Sequence, residues 1–81
     1  MKVWILLFDD VNFWDCNGVF STKEKAIEAF NQHCERCSDI WLNVEKEDEG
    51  ENWVSFGFRC VTENTNQLFG VLIQEEEVDV Q

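Results

Sequence analysis

The densest run of chemically competent side chains is His33-Cys34-Glu35-Arg36-Cys37, a CxxC with a histidine beside it. Zinc takes four ligands, usually as two close pairs that meet across the fold. Here one pair is local. Cys16 and Cys60 are single and distant in sequence, so they complete a tetrahedron only if the fold carries them to Cys34 and Cys37. A structural zinc module built on Cys16, Cys34, Cys37 and Cys60 is therefore one reading. The other makes Cys34 a small core residue and Cys37 a helix-end residue. Redox use of the same pair fits less well. Thiolate chemistry gains from the positive end of a helix, whereas this motif stands at a C-terminal end, where the dipole has the opposite sign. Cys16 and His33 have no third group spaced to orient a nucleophile–base pair. His33 is expected to be a solvated helix-end residue. The expectation is a non-enzyme with no catalytic residue, no cofactor and no resident metal.

The second chemical feature is acid. Seventeen acidic residues against six basic give a net charge of −11. Nucleic-acid backbones are bound by lysine and arginine that neutralise phosphates, so direct nucleic-acid binding is not expected, nor is binding to an anionic membrane. The favoured partner is a basic protein surface. Asp9-Asp10 and the run Glu45–Glu51 are dense in carboxylates. The second lacks the alternate-position spacing and distant glutamate of a calcium loop, and reads as a solvated hairpin tip. Trp41 and Trp53 flank that tip, and cross-strand pairing would put both indoles on one sheet face. Exposed tryptophan beside acid is the composition of a binding hot spot with a steering rim. The expected partner-binding set is Trp41, Glu45, Glu47, Asp48, Glu49, Glu51 and Trp53. A homodimer covering the same face is the competing expectation.

These residues need elements to position them. At 81 residues the chain makes one small domain. Seven phenylalanines and four tryptophans supply much of its buried area. Val3–Phe8 is apolar at every position, and a run with both faces apolar suits a strand in the middle of the sheet. A polar turn at 9–12 leads to a returning strand, Phe13–Phe20, with an irregularity at Asn17-Gly18. Ser21 is the expected N-cap, with Glu24 completing a capping box. A helix over 22–36 follows, with Ala26, Ile27, Phe30 and Cys34 on one face. In Ile40–Glu45 the alternation places Ile40, Leu42 and Val44 on one face and Trp41, Asn43 and Glu45 on the other. Strands at Trp53–Val61 and Gln67–Ile73 follow, separated by a turn at 62–66. The expected architecture is α+β, in the order β-β-α-β-β-β: one antiparallel sheet with a single helix on one face. Residues 1–74 form the domain and 75–81 an acidic tail.

The opening Met-Lys-Val-Trp strand and the run Gly-Val-Phe-Ser-Thr-Lys-Glu-Lys-Ala entering a helix resemble small uncharacterised domains of bacteria and their phages. The likeness covers roughly residues 1–30 and implies a bacterial or phage accessory protein, with no activity attached. No apolar run reaches the ~20 residues a membrane span requires, and the start lacks a signal-peptide pattern. Together these give an expected function: a cytoplasmic, acidic binding module, such as a phage-type inhibitor or nucleic-acid mimic that occludes a cationic groove.

Overall fold

A computed structural model describes residues 1–10 and 13–78. Five strands and one helix follow in the order β1 (Lys2–Asp10), β2 (Phe13–Phe20), α1 (Lys23–Arg36), β3 (Trp41–Gly50), β4 (Trp53–Val61) and β5 (Asn66–Glu77). Every strand pair is antiparallel, and the spatial order is β2-β1-β5-β4-β3. The expected element order stands. The sheet dominates to the point that α+β describes the fold only loosely. The 9–12 turn lies partly outside the described residues, as do Asp79 of the tail and the side chains of Asp10 and residues 13–15.

The order follows from pattern. β1 is apolar on both faces and takes an interior place between β2 and β5. β2 returns beside it, and its register slips between Leu6 and Leu7, so that Asn17 stands opposite neither. That is the expected bulge. β3, β4 and β5 form a meander, and β5 joins it to β1 through pairs such as Leu6↔Ile73 and Phe8↔Val71.

The helix runs along the sheet. Near its start the Lys23 ammonium stands 5.8 Å from the Trp4 ring centroid; near its end His33 meets Phe8 at 5.7 Å. Ten helical residues rise ~15 Å and four strand residues ~13 Å, so the helix keeps pace with β1 beneath it. Ala26 and Phe30 point inward and are fully buried with Leu6, Val54, Val71 and Ile73. Among the described residues, the other sheet face carries no helix.

The helix start differs from the expectation. Thr22, not Ser21, is the N-cap: its extended backbone lets Oγ1 accept from the Lys25 amide at 3.2 Å. Ser21 Oγ instead accepts from the Lys25 ammonium. With the cap moved by one, the capping-box partner position falls on Lys25, so Glu24 contributes only its charge in the first turn.

β3 differs more. It extends through Glu45–Gly50, leaving only Glu51 and Asn52 as the tip. Its pairing with β4 slips twice, between Leu42 and Glu45 and between Lys46 and Asp48. Asn43 sits at the first slip with φ of 57°, the left-handed region that asparagine tolerates better than most residues. The slips undo simple alternation beyond Leu42; Trp41 and Leu42 precede them and take their faces from their pairing with Cys60 and Arg59. Trp41 faces the core, and Leu42 and Val44 are exposed, the reverse of the expected burial. At the other end, β5 continues past Ile73. Glu75, Glu76 and Glu77 pair with Trp4, Val3 and Lys2 of β1.

Candidate functional site

The register decides which residues share a face. Trp41 pairs with Cys60 on the helix side, whereas Trp53 pairs with Gln74 on the open side, at the opposite end of the β3–β4 hairpin. The two indoles do not share a face, because Trp53 and the Cys60 opposite Trp41 stand an odd number of positions apart on β4. Trp41 is instead the hub of an aromatic cluster: 4.3 Å from Phe58, 5.8 Å from Phe8, and 6.5 Å from both Phe30 and His33, measured between ring centroids. His33 is half-buried against Phe8 and Trp41 rather than freely solvated.

The acidic residues also divide. Glu49 pairs with Val54, a core residue, so its side chain turns toward the helix. There it meets Lys23 at 2.9 Å and Lys46 at 3.2 Å. The Lys23 hydrogen bond first, and the Lys46 bond second, hold the Glu49 carboxyl below the usual carboxylate range. Glu45 and Asp48 pair with Gly57 and Ser55 on the open side. The Glu47 carboxylate lies over Gly57, where a side chain on residue 57 would otherwise stand. Glu51 is exposed in the turn. Among the described residues, Glu45, Glu47, Asp48 and Glu51 take part in no ion pair.

This open-side edge has a floor and a far wall. Gly57 faces Gly70 across β4 and β5, so neither strand presents a side chain there and the Glu47 carboxylate takes the space over Gly57. A depression of about 330 Å³ lies there, bounded by Glu45 and Glu47 on one side and by Arg59 and Leu68 on the other. Arg59 donates to Asn66 Oδ1 at 2.7 Å, which holds its guanidinium along β5. Leu68 is 72% exposed. Neither Arg59 nor the glycine pair is legible as a site in the sequence. Only the β4–β5 register brings them beside the acids of β3.

The cysteines do not assemble. Cys34 and Cys60 pack against the core on the helix side, while Cys16 pairs with Leu7 and is exposed on β2. Cys37 caps the helix C-terminus. All four are free thiols, and among the described residues no three His, Cys, Asp or Glu side chains converge to hold a metal ion. The four-cysteine zinc arrangement is therefore not formed. Burial raises the Cys34 thiol above its ordinary pKa, and the neighbouring Cys37 adds to the rise.

No known protein-family model, curated protein or solved structure matches this chain. The helix in this fold is not long and apolar enough to cross a membrane.

Proposed function

We propose that this chain is a small acidic protein-binding module that works by occupying a basic surface rather than by chemistry. The observation that carries the reading is the division of β3. Glu49 is used internally to tie the helix to the sheet, whereas Glu45, Glu47 and Asp48 stand on the open face with no ion pair among the described residues. Close like charges on one strand repel and do not serve stability. A cationic partner relieves that repulsion, and the exposed Leu68 nearby offers apolar contact inside an acidic rim. The net charge of −11 steers such a partner from a distance. The phage-type inhibitor is the version in which the basic surface is a nucleic-acid groove and carboxylates stand in for phosphates. In a reducing cytoplasm the four thiols stay free.

The test compares the protein with the triple variant Glu45→Gln, Glu47→Gln, Asp48→Asn against a panel of basic nucleic-acid-binding proteins. At low salt the parent binds. The variant associates about three- to ten-fold more slowly, with a flatter salt dependence and with folding stability level or slightly higher. Equal association rates for the two forms, or no binding to any basic protein at low salt, would overturn the reading. Self-association, the competing use of the open face, is read from the sedimentation of the protein alone.

A further inference from the structure

Antiparallel sheets with one face in water alternate apolar and polar residues along each strand. β4 does so: Val54, Phe56 and Phe58 turn to the helix side, and Ser55, Gly57 and Arg59 to the open side. β1 and β5, paired at the middle of the sheet, do not. Their helix-side residues Leu6, Val71 and Ile73 are fully buried. Their open-side residues are apolar as well: Val3, Ile5 and Leu7 on β1, Leu72 and Leu68 on β5. Leu7 stands opposite Leu72, and Ile5 is paired with Val19 of β2, so the residues form one stripe along the two strands. Among the described residues no helix covers it, and Leu68 and Val19 are 72% and 58% exposed. We propose that this stripe receives a basic amphipathic helix of the partner protein, laid along β1 and β5 as α1 is laid along the other face.

Charge selects the partner. Open-side acids ring the stripe: Glu76 opposite Val3 at one end, Asp9 two residues beyond Leu7, and Glu45 and Asp48 across β4. Arg59 is the one basic side chain on that side among the described residues. A second copy docked two-fold on this face would set the acid rim against itself and −11 against −11. A cationic partner gains where a second copy loses. Geometry selects a helix. Val3 stands level with Glu76, and Leu68 lies eight residues back along β5. That is a stripe of ~26 Å, which ~18 helical residues match. Apolar residues at i, i+3, i+4 and i+7 lie on such a stripe, while flanking lysines and arginines lay their stems on its margins and reach the carboxylates. An extended peptide needs a free sheet edge instead, and β3, the edge beside the acids, is interrupted by two register slips.

The inference rests on the proposed function, and one titration separates the two. The probes are three acetylated, amidated peptides of about 18 residues. The first carries leucine along one helical face and lysine on the rest. The second has the same composition with the leucines dispersed around the helix. The third replaces every lysine of the first with glutamate. Binding is followed by methyl NMR of Ile5, Leu7 and Leu72, and peptide helicity by circular dichroism. The first peptide is expected to shift these methyls saturably, to gain helix on binding, and to bind about ten-fold or more tightly than the second. The third should leave the methyls unmoved. Asp9→Asn should weaken the first peptide about two- to five-fold. Leu72→Thr should weaken it about ten-fold while the folded amide spectrum is retained; should that variant unfold, the peptide series on the unaltered protein still decides. Equal binding of the first two peptides, or shifts that fall only along Glu45–Asp48, would overturn the helix site and leave the proposed function standing. Equal binding of the glutamate peptide would overturn both. If no peptide binds at low salt the inference falls, and the panel of basic proteins decides the proposed function separately. Methyl shifts that follow protein concentration without peptide would make the occupant a second copy and overturn the inference.

Discussion

At the scale of single residues, the structure redistributes roles among close neighbours. Ser21 and Thr22 are both competent caps by type. Backbone conformation selects Thr22, whose Oγ1 takes the Lys25 amide. Thr22→Ala should cost about 0.5–2 kcal/mol in urea denaturation, and Ser21→Ala no more than about 0.5 kcal/mol. Phe30→Ala sets the upper mark at about 3–5 kcal/mol, since Phe30 is fully buried against Phe56 at 4.8 Å. A larger loss at Ser21 than at Thr22 would move the helix start back by one residue. Glu49 gives a second residue-level expectation. Its carboxyl is held low by Lys23 first and Lys46 second. A depressed carboxyl pKa adds stability that is present above the ordinary value near 4.3 and is lost as pH falls through the folded value. Carbon-13 titration of the Glu49 carboxyl should show its pKa rising in Lys23→Met and rising less in Lys46→Met. The opposite ranking would make Lys46 the principal partner.

At the scale of elements, β3 is where local pattern and tertiary structure part. Its sequence alternates cleanly through Ile40–Glu45, and simple alternation places Leu42 and Val44 inward. Pairing with β4 instead sets Trp41 opposite Cys60 on the helix side and Leu42 opposite Arg59 on the open side, and two register slips, with Asn43 in a left-handed conformation at the first, then break the alternation beyond Leu42. Edge strands commonly carry bulges and charges that block pairing with another chain, and β3 carries both. A β-branched residue cannot take the Asn43 conformation cheaply. Asn43→Val should therefore cost about 1–2 kcal/mol by denaturant unfolding, while Asn43→Gly should stay within about 0.5 kcal/mol. If valine were tolerated as well as glycine, the slip would not depend on residue 43. The helix, by contrast, is legible in the sequence: the spacing of Ala26 and Phe30 predicts the buried face, and both are fully buried.

At the scale of the whole molecule, the β1–β5 pairing holds the fold together. It joins the β1–β2 hairpin to the β3–β4–β5 meander and brings the two ends of the chain side by side. The terminal ammonium meets Glu77 at 3.4 Å, Lys2 meets Glu75 at 3.6 Å, and the Val78 amide donates to the Met1 carbonyl at 2.7 Å. Removing residues 75–81 should therefore lower stability by about 1–2 kcal/mol despite deleting four acidic side chains, a fall of roughly 4–8 °C in Tm per kcal/mol. A truncated chain with unchanged or higher Tm would mean that like-charge repulsion outweighs the pairing of the chain ends. The sequence by itself determined the elements and most of their order, because helix and strand periodicities are read within a few neighbouring residues. It also determined the acidity that frames the functional reading. Only tertiary structure decided that β5 stands at the centre of the sheet, that Trp41 and Trp53 face opposite ways, and that Cys16 is kept from Cys34 and Cys60. The physical reason is register: a one-residue slip sends a side chain through the sheet to the other face, and pairing between strands distant in sequence sets that register.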